Sequence, residues 1–99
     1  DQRLYRECNV NNSLLAGARY ISFLYSIYRD CCEPDEEGAI RILETRSEIG
    51  RYIGRDPRSV DRIIQKLREK GYVGGSHRKI TVTEEQHQRL LELVEELTL

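Results

Sequence analysis

The chain has 99 residues, enough for one domain with a single core and too few for a second. Its 38% apolar and 33% charged residues are ordinary for a globular domain, and no apolar run approaches the ~18 residues that a membrane span needs. The formal net charge of −1 by itself gives no reason to expect a nucleic-acid partner.

The chain starts at Asp1 and contains no methionine, so the expectation is an excised domain or a processed chain. Residues 1–12 are polar with scattered apolar positions (Leu4, Tyr5, Val10), as in a linker or the end of a preceding helix. Asn11, Asn12 or Ser13 can then cap a helix, each offering a side-chain oxygen to the first turn. Leu14, Ala18, Ile21, Tyr25 and Tyr28 recur at spacings of three and four, with Leu24 and Ile27 beside them, which predicts an amphipathic helix ending near Asp30. Tyr20 lies beside that stripe, and core or interface packing is the expected role of these tyrosines. Pro34, Gly38 and the acids between Cys31 and Gly38 predict a loop, and the alternation of Ala39 to Leu43 a short strand.

Thr45-x-x-Glu48 reads as a capping box, in which each side chain satisfies the other residue's backbone donor. It opens a short helix with Ile49 and Ile53 inward, stopped by Gly54. Gly50 costs that helix about 1 kcal/mol relative to alanine, which a close helix crossing would explain. Asp56 caps the next helix, with Pro57 at its first position. Val60, Ile63, Ile64 and Leu67 form its buried stripe, and Gly71 ends it. Tyr72-Val73, the turn Gly74-Gly75-Ser76, and Lys79 to Val82 read as a β-hairpin. Thr83-x-x-Gln86, a second capping box, starts a last helix with Leu90, Leu91, Val94 and Leu97 on one side and Glu92, Glu95 and Glu96 on the other. A helix, a strand, two helices joined by a three-residue turn, a hairpin and a final helix define an α+β, mostly α domain, the winged helix-turn-helix. The predicted domain spans residues 13–99.

Resolved along the chain, the charge is strongly segregated. From Thr45 to Ile80 there are ten basic residues against four acidic, a net +6, while the remainder has six against thirteen, a net −7. Such segregation concentrates positive potential on one face, as a polyanion partner requires. The cysteines add little: their number is odd and Cys31-Cys32 are adjacent, so no C-x-x-C motif exists. An incidental or structural role is expected for that pair rather than a thiol sensor. No metal site, cofactor, secretory signal or nucleophile–base pair is legible, so the chain reads as a cytoplasmic protein that is not an enzyme.

The stretch from Thr45 to Val82 resembles the C-terminal domain of Crp/Fnr-type bacterial transcription regulators. The resemblance rests on Thr45-Arg46-Ser47-Glu48-Ile49-Gly50-Arg51-Tyr52-Ile53-Gly54, on Arg58-Ser59-Val60-Asp61-Arg62-Ile63-Ile64, and on Leu67, Gly71-Tyr72-Val73 and Lys79-Ile80-Thr81-Val82. Upstream, Gly17 to Leu24 is similar to the family's first domain helix and Ala39 to Leu43 to its short strand, so the likeness covers about residues 13–82. It implies a homodimer on a two-fold operator of double-stranded DNA, with Asp1 to Val10 a remnant of the dimer helix and RNA polymerase a candidate partner. One departure bears on recognition. Arg58 stands where the family usually has a glutamate, replacing an acceptor for cytosine N4 by a donor suited to guanine O6 and N7.

The expected mode of action is sequence-specific DNA binding, with recognition helix 57–70 in the major groove. Arg58, Asp61, Arg62 and Gln65 are the expected base contacts; Asp61 would accept from cytosine N4 or orient Arg58 or Arg62. Thr45, Arg46, Ser59 and Lys66, with Ser76, His77, Arg78 and Lys79 of the wing, are the expected phosphate contacts. His77 is expected to be a surface residue rather than a pH switch. The competing reading is a winged helix used for protein–protein contact without DNA, against which the basic recognition face argues.

Overall fold

The computed structural model describes residues 2–98, with side chains described from Asn12 onward. In chain order they form α1 (Gln2–Cys31), β1 (Ala39–Ile42), α2 (Arg46–Ile53), α3 (Pro57–Glu69), β2 (Ile80–Thr83) and α4 (Glu84–Thr98). This is a mostly helical fold with a small antiparallel sheet, the winged helix-turn-helix arrangement the element order implied.

The first helix differs from expectation at its start. It does not begin at Asn11, Asn12 or Ser13 but runs through them from Gln2. The cap preference of Asn and Ser is a local one, and it yields where a helix arrives from upstream with those N–H groups already bonded. The side chains of Leu4, Tyr5 and Val10 lie outside the described residues. Further along, Leu14, Ala18, Ile21, Leu24 and Tyr25 are buried and Tyr28 half-buried, whereas Ile27 is exposed. This face packs on α4 and on α3. At the α3 crossing a Cβ on Gly17 would sit 2.5 Å from Ile63 Cγ2, so the absence of a side chain there sets the approach of the two helices.

The helix-turn-helix unit follows from its own residues. Thr45 and Glu48 close the capping box in both directions, at 3.1 and 3.2 Å. Gly54 ends α2 in the left-handed region at φ 75°, donating to the Gly50 carbonyl. A Cβ on Gly50 would collide first with the Arg55 carbonyl oxygen and then lie 3.2 Å from Val60 Cγ2. The tightness at Gly50 therefore comes from the turn as much as from the helix crossing. Asp56 caps α3 by accepting from the Ser59 N–H at 2.8 Å, with Pro57 at the first helical position. At the far end Tyr72 N–H donates to Leu67 O and Gly71 N–H to Arg68 O, both at 2.9 Å, with Gly71 left-handed. These are the two bonds of a Schellman stop. Ile49, Val60, Ile63, Ile64 and Leu67 close the core between α2, α3 and α1.

The sheet is paired differently from the expected hairpin. β2 runs antiparallel to β1, from Ala39 opposite Thr83 to Ile42 opposite Ile80. The arm expected at Tyr72-Val73 is reduced to a single bridge, in which Gly74 and Thr81 exchange bonds of 2.8 and 3.2 Å. Val73 instead points its side chain into the core, and Gly74 and Gly75 contribute no side chains to extend a ladder. Ile40 and Ile42 of β1, with Ile80 and Val82 of β2, supply the sheet's contribution to that core.

The Thr83–Gln86 capping box forms in both directions at 3.1 Å and starts α4. The inner face of α4 is His87, Leu90 and Leu93, with Val94 and Leu97 partly covered, whereas Leu91 is exposed. The expected stripe included Leu91 and omitted Leu93, and the buried face is rotated from it toward Leu93 and His87. The position one turn before Leu90 is a histidine.

Candidate nucleic-acid interface

Burial of Val60, Ile63, Ile64 and Leu67 fixes the rotation of α3 and turns the opposite face outward. That face exposes Arg58, Asp61, Arg62, Gln65, Lys66 and Glu69, with Ser59 half-buried near the helix start. Arg58, Arg62 and Gln65 share one side of the exposed surface through their spacing of three and four residues. Among the described residues the sole ion pair is Arg46–Asp61, so Arg58, Arg62 and Lys66 have no carboxylate partner there. The Asp56 carboxyl, at the N-cap beside them, is held below the usual aspartate range, chiefly by the hydrogen bond from the Ser59 backbone.

The wing stands beside this face. Ser76, His77, Arg78 and Lys79 are all exposed. They form a turn closed by Lys79 N–H donating to Ser76 O at 3.0 Å, with His77 in the left-handed region at φ 55°. Gly75 precedes it at φ 89°, where a Cβ would run into the Lys79 carbonyl. The helix face and the wing thus expose Arg58, Arg62, Lys66, Arg78 and Lys79, none of them with a carboxylate partner among the described residues.

Two of the expected contacts are engaged inside the protein. Arg46 Nε lies 3.3 Å from Asp61 Oδ1, and its Nη2 and Nη1 donate to the carbonyls of His77 at 2.9 Å and Arg78 at 3.4 Å. Its side chain is only 16% exposed, against 53% for Asp61. Asp61 thus pairs with an arginine of α2 rather than with Arg58 of its own helix. The Thr45 N–H is also taken, by Glu48, although its hydroxyl retains a proton to donate.

Arg68 was not read from the sequence as part of this region. Its Nη2 donates to His77 O at 3.0 Å and to Lys79 O, while its Nε is buried without a partner. Burial lowers its pKa, and the neighbouring charge of Arg46 lowers it further, with Asp61 opposing. No local signal marks Arg68, because its partners lie on the wing, nine and eleven residues on. Elsewhere, the Cys31 and Cys32 thiols are free and exposed at the end of α1. Among the described residues no helix is long and apolar enough to cross a membrane.

The family model described as the Crp-like helix-turn-helix domain matches residues 18–93. A comparison with curated proteins found none that matches.

Proposed function

The chain belongs to the Crp-like helix-turn-helix domain family, and we propose that it binds double-stranded DNA sequence-specifically as the output domain of a transcription regulator. Membership ties it to DNA binding in transcription regulation. The single observation that carries the finer reading is the row of cations on α3 and the wing that have no acidic partner among the described residues. A face held unneutralised in this way is suited to phosphates, whose condensed counterions it would release.

In this reading α3 enters the major groove. Arg58 and Arg62 donate bidentately to guanine O6 and N7, and Gln65 reads a neighbouring base, each good pair contributing about 1–3 kcal/mol of discrimination. Thr45, through its hydroxyl, contacts phosphates together with Ser59, Lys66, Ser76, His77, Arg78 and Lys79. Arg46 would reach a phosphate only by giving up part of its wing contacts, and its ion pair engages Asp61 with α2 rather than with Arg58, Arg62 or a cytosine. The regulator is proposed to act in the cytoplasm as a homodimer on a two-fold operator, with half-sites about one helical turn apart. Its domain proper is taken as residues 13–99, and the first turns of α1 as the end of a dimer helix. RNA polymerase is the candidate protein partner, and no enzymatic step or cofactor is assigned.

The test is a gel-shift titration of the chain on random duplex at low salt, followed by selection of a preferred site. The expected results are micromolar binding to random duplex, steep weakening as salt rises, and a selective loss for Arg62→Ala on the selected site. Absence of binding at low salt would overturn the reading in favour of a protein-interaction module. Equal loss on selected and random DNA would reduce Arg62 to a phosphate contact.

A further inference from the structure

Two guanidinium groups converge on one wing carbonyl. His77 O accepts from Arg46 Nη2 at 2.9 Å and from Arg68 Nη2 at 3.0 Å. Arg46 reaches on to Arg78 O and Arg68 to Lys79 O, so three consecutive carbonyls of the wing turn are held by two side chains. Arg46 belongs to α2 and Arg68 to α3, and the wing follows both in sequence, so the contacts bind three separate elements. Like charges brought this close repel, and the Asp61 carboxylate, 3.3 Å from Arg46 Nε, offsets that repulsion. The turn geometry serves the same end. With Gly75 and His77 both left-handed, the tip folds so that its carbonyls face the helices.

This arrangement leaves little else to hold the wing. One bridge, Gly74 to Thr81, joins its first arm to β2, and its tip residues Gly75 to Lys79 are exposed. A turn anchored by so short a ladder is floppy unless its backbone is bonded elsewhere. Arginine suits the task, because its fork can satisfy two acceptors at once and its charge persists when partly buried.

We propose that Arg46, Asp61 and Arg68 are positioning residues that lock the wing against the recognition helix and so fix the length of duplex that helix and wing read together. The proposal rests on the DNA-binding reading above for its consequence, but the lock itself is a property of the free protein. With it closed, Arg78 and Lys79 stand at a set distance from Arg58 and Arg62. With it open, the recognition helix would still find its bases, and the wing would no longer deliver its cations to the flanking phosphates.

The experiment compares the wild-type chain with Arg68→Met, which keeps the aliphatic stem and removes the fork, and Arg68→Lys, which keeps the charge with a single point of donation. Amide hydrogen exchange at Gly74, Lys79 and Thr81 is read in the free protein. Affinity is read on a short duplex covering only the recognition-helix site and on a longer one reaching under the wing. Arg68→Met is expected to speed exchange at those amides about tenfold or more, and to lose affinity for the long duplex while leaving the short one unchanged. Arg68→Lys is expected to restore the long-duplex affinity only in part. Unchanged wing exchange would overturn the lock, and equal losses on both duplexes would overturn its role in setting read length. If the wild type binds neither duplex, the DNA reading fails while exchange still decides the lock. Asp61→Asn, on an exposed side chain, repeats the wing-exchange measurement in the free protein should Arg68→Met not fold.

Discussion

The imidazole of His87 lies against the ring of Tyr25, with centroids 4.6 Å apart and planes tilted by 33°. It is 4% exposed between α4 and α1, and its Nδ1 has no hydrogen-bond partner. Burial lowers its pKa, the Arg29 charge on α1 lowers it further, and the Ser22 backbone and Glu84 oppose the shift. The unfolded chain therefore takes up a proton near the ordinary value of 6.5, before the folded one does. The contribution of this site is fully present above that pH. It falls as pH drops through 6.5 and levels off below the folded-state value. Urea midpoints measured from about pH 8 down to about pH 5 should decline across this window, and His87→Leu should flatten the decline. A wild-type midpoint that ignores pH there would contradict the assignment.

Gly17 offers a test in which two effects have opposite signs. Gly→Ala inside a helix ordinarily stabilises by about 1 kcal/mol. Here the new methyl would meet Ile63 Cγ2 at 2.5 Å, on a β-branched side chain that cannot swing away. Overpacking of this kind costs roughly 1–3 kcal/mol, so Gly17→Ala should lower the thermal midpoint rather than raise it. In an Ile63→Ala background the same change should recover its stabilising sign. A gain in the wild-type background would mean that α1 and α3 approach less closely than described.

Tyr28 donates its hydroxyl to the Glu44 carboxylate, linking α1 to the segment between β1 and α2. Burial, the hydrogen bond and the Glu44 charge together push the phenol up to about 12. An alkaline absorbance titration should show one tyrosine ionising last, and Tyr28→Phe should remove that step. The same variant should cost about 1 kcal/mol, because a charge-assisted bond is lost at a partly exposed site. Preservation of the late step in Tyr28→Phe would assign it to another phenol.

On DNA, the phosphate and base roles separate by their salt and sequence dependence. Lys66→Ala and Lys79→Ala should weaken binding uniformly across sequences, each reducing the slope of log affinity against log salt by about 1. Loss confined to one sequence would move the residue in question from phosphate contact to base readout.

Much of this protein is legible where the controlling interactions are local. The Thr45–Glu48 and Thr83–Gln86 boxes, the Asp56 cap with Pro57, and the glycine stops at 54 and 71 each act within five residues, and all appear as read. The stripe of α3 is legible because a helix repeats its burial every three to four residues. It alone turns Arg58, Arg62 and Gln65 outward. The α4 stripe departs from the expected one because Leu91 and Leu93 are both apolar neighbours of Leu90, and the choice falls to Leu93 on the face where the His87 imidazole packs against Tyr25.

By itself, then, the segregated charge hidden under a net −1, together with the motif from Thr45 to Val82, determined the kind of domain and the face proposed to meet DNA. Only the tertiary structure decided that β2 takes β1 as its partner, that Gly17 admits α3, and that Arg46 and Asp61 turn to each other. The wing carbonyls that receive Arg46 and Arg68 lie up to 32 residues away along the chain. No periodicity or spacing encodes such a meeting. It exists because packing of the apolar faces brings three elements to one place, and the polar groups there must then find one another.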